Sequence, residues 1–416
     1  DINRKASLFN TQERRPKTVF RQSRRESKDR TGNPSPPTVM FRTQLLKSCN
    51  CSLLAGIKSP KAGNIVKSSS LAVRSASRRF SVMSSQQQKM ATPCKVVPAS
   101  RIAQKYLKDV QELTSKLDKP FTLVGLLANN DPAAKLYANW TGKTASKLGF
   151  NYKLVEIPQK DQLEEEIYQA NRDDDVDGMI VYFPVFGDRQ DQYLQQCVSI
   201  DKDVEGLNFQ YISNMYHNVR FLDSEHKKKS ILPCTPLAVV KILEYLGVYN
   251  NMLDYGDRLY GKTVTIVNRS EIVGRPLAAL LANDGATVYS VDINDIQLYE
   301  RGDGLRLKQH QVKECGKSLE ECAKSSDIII TGVPSKDYKF PTEYIKRGAI
   351  LVNFSSEKNF DGEAVKQVAS MYVPMIGKVT IAMLLRNLLR LRINKYGSLE
   401  KAKQEEQEQE QEEQNE

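Results

Sequence analysis

The sequence predicts an α/β protein whose parallel sheets are buried on both faces. From Cys94 onward, apolar runs rich in β-forming residues alternate with amphipathic segments of helical period. Near-continuous apolar strands that alternate with helices are typical of parallel sheets covered by helices on each side. A length of 416 residues also exceeds what one hydrophobic core usually serves, so two or more structural units are expected.

Six segments carry the strand pattern and two carry a clear helical one. The predicted strands are FTLVGLLA (121–128), GMIVYF (178–183), KTVTIVN (262–268), ATVYSVD (286–292), DIIITGV (327–333) and AILVNF (349–354). The predicted helices are AAKLYANWTGKTASKLG (133–149) and PLAALLANDG (276–285).

The net charge of +11 is concentrated at the N-terminus. Residues 1–89 hold 19 Lys and Arg against four acidic residues, and the remainder holds 42 basic and 46 acidic residues. Because this basic extension has few aromatic residues and no nucleic-acid-binding motif, we expect no nucleic-acid partner. RNA binding by the extension is the alternative.

The extension also bears on location. If translation starts at Met40, an Arg- and Ser-rich segment free of acidic residues follows, as in a mitochondrial transit peptide. The alternative is an untranslated leader read in frame, with the start at Met83 or Met90. Seven scattered cysteines without metal-binding spacing favour a reduced intracellular compartment and no metal. We expect a cytoplasmic protein, with a mitochondrial form if Met40 is used, and no membrane span because no apolar run is long enough.

A candidate dinucleotide site follows the strand at 262–268. Gly274 permits close approach of the backbone, and Pro276 suits the first turn of a helix, whose free N–H groups can hold a pyrophosphate. Arg269 and Ser270 can add phosphate contacts. The turn is not GxGxxG, so the general fingerprint alone supports the site weakly.

Asp292 ends the next predicted strand, 24 residues beyond Asn268. A carboxylate at that distance can accept the ribose hydroxyls of NAD, and it would repel the 2′-phosphate of NADP. The alternative is an acid that merely ends a strand. The expected cofactor is NAD.

Four motifs identify a family. NRSEIVGRPLAALL (268–281) resembles the GRSxxVGxPxxxLL signature of the methylenetetrahydrofolate dehydrogenase/cyclohydrolase family. DVEGL (203–207), LPCTP (232–236) and YVPMIGKVTIAMLLRN (372–387) resemble its DVDGL, PCTP and PGGVGPMTVAMLL segments. The resemblance covers about residues 94–395 in the family's order and is closest to its fungal, monofunctional NAD-dependent branch.

The resemblance implies two α/β lobes with a cleft between them and a homodimer. The N-terminal folate-binding lobe would span 90–235, completed by a C-terminal helix at 379–395, and a Rossmann-like NAD-binding lobe would span 236–378. Residues 1–89 would form the basic disordered extension. The acidic tail at 396–416 is expected to be solvated, with no assigned role.

The resemblance also implies the site residues. The expected cofactor-binding residues are Asn268, Arg269, Ser270, Gly274, Asp292, Ile293, Thr331, Gly332, Val333 and Pro334. The expected substrate-binding residues are Tyr137, Thr141, Tyr182, Glu205, Pro374, Met375 and Gly377. Tyr137 would pack on the folate ring system, and Glu205 would hydrogen-bond the pterin. Cys234 is a candidate active-site thiol, or alternatively a small buried packing residue.

Three departures from the family pattern concern hydrolysis. Thr141 replaces the lysine of the bifunctional enzymes' YxxxK, and Lys143 lies about 200° further round the helix, so it cannot substitute. Tyr182 replaces a glutamine, and Glu205 replaces an aspartate. Hydride transfer needs positioning and no general base, whereas hydrolysis of the methenyl ring needs proton transfers.

The expected function is therefore NAD-dependent oxidation of 5,10-methylenetetrahydrofolate to the methenyl form, in one-carbon and purine metabolism, without substantial cyclohydrolase activity. The catalytic candidates are Cys234, Tyr137 and Glu205. The alternatives are a bifunctional dehydrogenase/cyclohydrolase and a catalytically silent folate- or NAD-binding regulator.

Overall fold

The computed structural model describes residues 93–116, 119–302 and 309–397. The predicted extension at 1–89 and the predicted acidic tail from residue 398 onward lie outside the described residues. The strands are β1 (Lys95–Val96), β2 (Thr122–Leu127), β3 (Asn151–Glu156), β4 (Gly178–Val181), β5 (Thr263–Val267), β6 (Thr287–Val291), β7 (Ile296–Arg301), β8 (His310–Glu314), β9 (Ile328–Thr331), β10 (Ile350–Asn353) and β11 (Met371–Val373). The helices are α1 (Ala99–Thr114), α2 (Pro132–Lys147), α3 (Leu163–Arg172), α4 (Arg189–Cys197), α5 (Phe209–Tyr216), α6 (Cys234–Tyr245), α7 (Gly274–Asn283), α8 (Leu319–Ser325), α9 (Gly362–Val365) and α10 (Gly377–Tyr396).

Two sheets organise these elements. The smaller has three parallel strands in the order β3–β2–β4, and the larger has eight in the order β1–β11–β10–β9–β5–β6–β7–β8. All six predicted strands are present, and β2, β4 and β9 are buried along their whole length. The prediction of an α/β fold with buried parallel sheets is confirmed.

The far edge of the large sheet departs from this pattern. Strand β7 pairs antiparallel with β6, and β8 pairs antiparallel with β7. Their residues are mostly exposed or half-buried. A strand near a sheet edge needs no continuous apolar run, so this hairpin carries little signal in the sequence.

The first described strand belongs to the large sheet. The folate-binding lobe was predicted to begin at residue 90, yet β1 pairs in parallel with β11 and so extends the large sheet. Because β1 has only two residues, it is too short to show a hydrophobic pattern in the sequence. The predicted boundary after residue 235 falls inside the first turn of α6.

Helices α6 and α10 link the two sheets. Helix α10 packs on α1, α2 and α6, and α6 packs on α7 of the large sheet. Thirteen residues of α10 are buried, which is why this predicted C-terminal helix reads as apolar on almost every face. Neither α10 nor any other described helix has the length and apolar composition needed to cross a bilayer.

A buried ion pair fixes α10 on the small sheet. Arg392 Nη1 lies 2.9 Å from Asp177 Oδ1, and both side chains are almost fully buried. Asp177 also accepts the Thr122 backbone N–H at 2.8 Å. The Arg392 guanidinium also stacks on the rings of Phe121 and Tyr396, so it makes cation–π contacts as well as the ion pair.

Removing one partner of this pair should be costly. Arg392→Met leaves the Asp177 carboxylate buried without its cation, so we expect the free energy of unfolding to fall by about 3 kcal/mol in urea titrations. The double variant Arg392→Met/Asp177→Asn should recover part of that loss, because the uncompensated charge is gone.

An exposed pair provides the control. Lys119 and Asp175 lie 3.3 Å apart with most of each side chain in solvent, so Lys119→Met should cost less than about 1 kcal/mol. If Arg392→Met costs no more than Lys119→Met, the pair does not hold α10 in place.

Candidate active site

The carboxyl ends of β5, β6, β9 and β10 meet at one edge of the large sheet. Pairing aligns Val267 with Val291 and with Thr331, and it aligns Thr331 with Asn353. The chain leaves β5 toward β6 on one side, while β9 lies on the other. This is the switch point at which open α/β sheets bind nucleotides, and the predicted cofactor residues lie there.

The turn between β5 and α7, called the phosphate cradle below, is where the sequence predicts phosphate contacts. Asn268 adopts a positive φ of 92°, which asparagine tolerates better than most residues. Its side chain accepts the Ser270 N–H at 2.9 Å and donates to the Gly332 carbonyl. A Cβ on Gly274 would overlap the Asn268 carbonyl oxygen, so only glycine allows this close approach.

The opposite wall of the cradle is the segment after β9. A Cβ on Gly332 would overlap the ring of Phe354, so glycine is required here as well. Asn359, which is fully buried, accepts the Val333 N–H at 2.8 Å and donates to the Val333 carbonyl at 2.9 Å. The sequence analysis missed Asn359, because a lone asparagine in a loop carries no motif.

Arg269 hydrogen-bonds other residues of the protein, whereas the sequence predicts that it contacts a phosphate. Its guanidinium donates five hydrogen bonds, two to the Asp295 carboxylate, one to the Asp295 carbonyl, and two to the Ser290 hydroxyl and carbonyl. The side chain is only 11% exposed. A phosphate contact would have to replace some of these bonds, so the predicted role of Arg269 stays a prediction.

Asp292 follows β6 at the same edge of the sheet. Its carboxylate accepts the Ile293 N–H at 2.9 Å, and its own N–H donates to the Asp295 carbonyl. The Ile293 side chain is 95% exposed, and Pro334 is also exposed. Asp295 therefore holds one carboxylate against the Arg269 guanidinium, and Asp292 lies three residues before it in the same turn.

A second cluster forms at the carboxyl ends of β2 and β4. Tyr137 on α2 meets Tyr182 edge to face, with 6.1 Å between ring centroids. Thr141, one turn after Tyr137, is fully buried and donates to the Tyr137 carbonyl at 2.9 Å. The structure thus brings together three of the predicted substrate-binding residues.

Tyr152 completes this cluster, and the sequence analysis missed it. Its hydroxyl lies 2.8 Å from the Tyr182 hydroxyl. A Cβ on Gly125 or on Gly142 would collide with the Tyr152 side chain, so the two glycines provide the space for it. A glycine inside the strand β2 was the available signal, because such a residue marks close approach of another group.

Glu205 and Cys234 lie beside the tyrosines. The Cys234 N–H donates to the Glu205 carbonyl at 3.0 Å, and Glu205 Oε2 accepts the Val181 N–H at 3.2 Å. The buried carboxylate of Asp203 accepts the N–H groups of Glu205, Gly206 and Asn208 at 2.7–3.1 Å. Asp203 therefore shapes the turn that presents Glu205.

Burial controls the protonation of this cluster. Burial and the neighbouring Asp203 carboxylate raise the pKa of Glu205 to about 8. Burial raises the pKa of Tyr137 well above its usual value, and Cys234 and Glu205 add to the rise. Burial and Glu205 also raise the pKa of Cys234, so this residue is a neutral thiol rather than a thiolate nucleophile.

Asn353 joins the predicted cofactor loop to the predicted substrate loop. This buried residue ends β10, donates to the Pro374 carbonyl at 3.1 Å, and has its oxygen 3.4 Å from the Thr331 hydroxyl. Met375 is exposed, and Gly377 begins α10. The predicted substrate loop after β11 is thus tied to the strand end that carries the predicted cofactor loop.

These features define a class of protein. A strand–turn–helix unit at a sheet switch point occurs together with a cluster of tyrosines and a carboxyl group, as in dinucleotide-dependent oxidoreductases that act on a planar heterocycle. Among the described residues, no group of three His, Cys, Asp or Glu side chains lies close enough to hold a metal ion.

The comparisons with known proteins identify the family. Residues 97–205 match the catalytic domain, and residues 233–302 the NAD(P)-binding domain, of tetrahydrofolate dehydrogenase/cyclohydrolase. The chain is 61% identical over 298 residues to the NAD-dependent methylenetetrahydrofolate dehydrogenase of Schizosaccharomyces pombe, covering 72% of this chain and 93% of that protein. It therefore belongs to the tetrahydrofolate dehydrogenase/cyclohydrolase family.

Two further likenesses agree. The chain is 58% identical to the NAD-dependent methylenetetrahydrofolate dehydrogenase of Saccharomyces cerevisiae, covering 75% of this chain and all of that protein. A solved structure of the NAD-dependent 5,10-methylenetetrahydrofolate dehydrogenase from Saccharomyces cerevisiae matches with a TM-score of 0.70 and 58% identity, covering 73% of this chain and 98% of that one. The predicted family and two-lobed fold are confirmed.

The raised pKa of Glu205 predicts a specific pH dependence of stability. Because the folded protein holds this proton to about pH 8, stability from the protonated carboxyl is complete below the unfolded pKa near 4.5 and is lost as pH rises through 8. Glu205→Gln should remove that loss. Between about pH 5 and pH 9, the variant should gain roughly 4 kcal/mol relative to the unmutated protein, because each pH unit between 5 and 8 costs the unmutated protein about 1.4 kcal/mol.

Thermal unfolding across this pH range measures the difference. Glu343→Gln, which removes an exposed carboxylate, is the control and should run parallel to the unmutated protein. A Glu205→Gln curve that also runs parallel would mean that Glu205 is ionised in the folded protein at neutral pH.

Proposed function

We propose that the protein oxidises 5,10-methylenetetrahydrofolate to 5,10-methenyltetrahydrofolate with NAD as the oxidant. The observation that carries the proposal is the link through Asn353, which joins Thr331 of the predicted cofactor loop to Pro374 of the predicted substrate loop. The close relatives named as NAD-dependent methylenetetrahydrofolate dehydrogenases support the same reaction.

The residues around the cradle fit NAD. Val273 precedes α7 without a capping side chain of its own, the Ser270 hydroxyl accepts the Gly274 N–H at 3.3 Å, and no acidic residue stands in the first turn. A pyrophosphate bound at this helix start would replace the Ser270 contact. Gly274 lets the Asn268 backbone close the turn. At the end of β6, the Asp292 carboxylate would accept the ribose hydroxyls. When bound, NAD supplies C4 of its nicotinamide ring as the hydride acceptor.

The pocket residues orient the substrate. The face of Tyr137 suits the fused rings of the folate, and the protonated carboxyl group of Glu205 can accept one N–H of the pterin and donate its own proton to a ring nitrogen. Loss of hydride from the one-carbon unit leaves a cation that N5 and N10 of the substrate itself stabilise. No side chain has to remove a proton, so neutral Tyr137 and Cys234 are adequate.

The same pocket is poorly equipped for hydrolysis. Thr141 stands where the bifunctional enzymes of the family have lysine, and it is fully buried with its hydroxyl donated to the Tyr137 carbonyl. The hydroxyls of Tyr152 and Tyr182 hydrogen-bond each other, so they are less available to bind a reacting water molecule. We therefore propose that the protein has no substantial cyclohydrolase activity.

The expected homodimer and the expected cytoplasmic location, with a mitochondrial form from Met40, stay predictions of the sequence.

Preference for NAD should depend on two carboxylates. Asp292 would repel the 2′-phosphate of NADP. Asp295 forms an ion pair with Arg269 and so neutralises a cation that could otherwise attract that phosphate. Two like charges about 4 Å apart cost up to about 4 kcal/mol at an effective dielectric of 20, and less where solvent screens them. Asp292→Asn/Asp295→Asn should therefore raise kcat/KM for NADP by about tenfold or more.

Initial rates of reduction with each cofactor measure this preference. Glu314→Gln removes an exposed carboxylate on β8 and should leave the NAD to NADP ratio unchanged. A double variant that keeps the original ratio would place the source of selectivity elsewhere.

The fate of the product tests the missing hydrolysis. With NAD and substrate, we expect the absorbance of methenyltetrahydrofolate to build up and then decay at its rate in buffer, because no lysine serves the ring opening. A bifunctional member of the family in a parallel cuvette is the positive control. Decay that accelerates in proportion to the concentration of this protein would contradict the assignment of Thr141 and Tyr182.

A further inference from the structure

A pocket of about 270 Å³, called the arginine pocket below, lies between α1, α6, the second half of α10 and the segment before Cys234. Two buried amides of α10 hold that segment in place. Asn387 donates to the Leu232 carbonyl at 3.0 Å. Asn394 accepts the Lys229 N–H at 3.1 Å and donates to the Lys229 carbonyl at 2.8 Å. This wall of the pocket is therefore fixed on α10.

Two arginines of α10 line the arginine pocket without an acidic partner. Arg386 and Arg390 are half-buried, and neither makes a hydrogen bond or an ion pair with any residue that the structure describes. The Arg386 guanidinium lies over the Tyr106 ring, 5.5 Å from its centroid. Burial and the neighbouring Arg386 charge lower the pKa of Arg390. The two residues stand one helical turn apart, a spacing at which like charges destabilise a helix.

Other arginines of the protein are placed differently. Four that are buried or half-buried each pair with a carboxylate: Arg220 with Asp284, Arg269 with Asp295, Arg301 with Asp257 and Arg392 with Asp177. A partly buried guanidinium loses hydration, and hydrogen bonds to an anion make up for that loss. Arg386 and Arg390 lack such an anion within the part of the chain that the structure describes.

The remaining charges of the arginine pocket do not cancel these two. Lys241 is neutralised by Glu244 at 2.8 Å. Lys229 and Asp109 are exposed and form no ion pair among the described residues. Asp109 is the one acidic residue of the lining and can offset one of three unpaired cations, so the pocket keeps a net positive charge. Such a potential favours an anionic ligand.

The rest of the lining is largely apolar. It includes Val110 and Leu113 of α1, Leu237 of α6, and Leu389 and Ile393 of α10. Two guanidiniums one turn apart suit the oxygens of a single phosphate group, because each can donate two parallel N–H bonds. The apolar side chains suit a carbon group attached to that phosphate.

We propose that the arginine pocket is a second anion site, separate from the phosphate cradle, and that it binds the phosphate group of a small metabolite between Arg386 and Arg390. The dianion supplies the acceptors that both guanidiniums lack, and its charge relieves their mutual repulsion. The site is independent of the proposed reaction, because none of its lining residues belongs to the predicted cofactor-binding or substrate-binding sets.

Thermal unfolding of the full chain tests the proposal. Saturating NAD occupies the phosphate cradle, and sodium chloride keeps the ionic strength constant. Phenyl phosphate at about 20 mM should raise the midpoint by about 3 °C, as expected for a dissociation constant of about 1 mM. Benzoate, which has the same ring and a single charge, should raise it by less than about 1 °C. Equal shifts with both compounds, or no shift with phenyl phosphate, would overturn the proposal.

Inorganic phosphate distinguishes the two sources of the phosphate group. If the ligand is a phosphate ester, inorganic phosphate should give about half the shift of phenyl phosphate, because it makes no contact with the apolar side chains. If the ligand is free phosphate, the two shifts should be equal. Either result supports a phosphate site.

Matched variants locate the site. Each variant is compared with itself with and without phenyl phosphate, so a change in its own stability does not affect the result. Arg386→Gln/Arg390→Gln should lose the shift. Arg386→Lys/Arg390→Lys keeps the charges without the planar donors and should retain about half of it. Arg189→Gln/Arg347→Gln removes two exposed arginines outside the pocket and should retain all of it.

Calorimetric titration with phenyl phosphate gives an independent measurement. In the presence of NAD, we expect one site per chain that is absent from Arg386→Gln/Arg390→Gln. A shift or a binding isotherm that survives in this variant would place the anion elsewhere and overturn the proposal.

Discussion

The geometry of the site depends on one amide group on α10. Asn387 donates to the Val204 carbonyl at 2.9 Å and to the Leu232 carbonyl at 3.0 Å, and it is almost fully buried. It thereby joins the turn before Glu205 to the segment before Cys234. Gly206 permits this approach, because a Cβ there would press against the backbone of Leu232. Because α10 also packs on α1 and α6, this helix holds the segments before Glu205 and Cys234 against the rest of the fold.

The cofactor side shows what a motif can and cannot predict. The spacing of Gly274 and Asp292 from β5 was sufficient to place both at the switch edge of the sheet, because a strand, a tight turn and a helix start have local signatures. The partners of Arg269 were not predictable in this way. Its pairing with Asp295 depends on how the chain returns after β6, and the clamp from Asn359 on Val333 depends on a loop that is distant in sequence.

The fold shows a similar division. The buried strands could be predicted because burial on both faces requires a continuous apolar run. Strand β1 and the β7–β8 hairpin lie at sheet edges, where contact with solvent removes that requirement. In the pocket, Tyr137, Tyr182 and Glu205 were predicted through their motifs. Tyr152 was not, because its role arises from the space left by two glycines on other elements, which is a tertiary property. The protein thus has a pocket built for aromatic packing and neutral side chains, which suits hydride transfer better than hydrolysis.

The central claim is that this pocket transfers hydride directly and uses no proton-transferring side chain. The most direct test supplies 5,10-methylenetetrahydrofolate deuterated at the one-carbon unit, in H₂O and in D₂O. The account predicts that one deuterium per turnover appears at C4 of the reduced nicotinamide, with a primary isotope effect on the chemical step and no solvent isotope effect. Solvent-derived hydrogen at C4, or a solvent isotope effect comparable to the primary one, would show that a proton transfer limits the reaction and would contradict it.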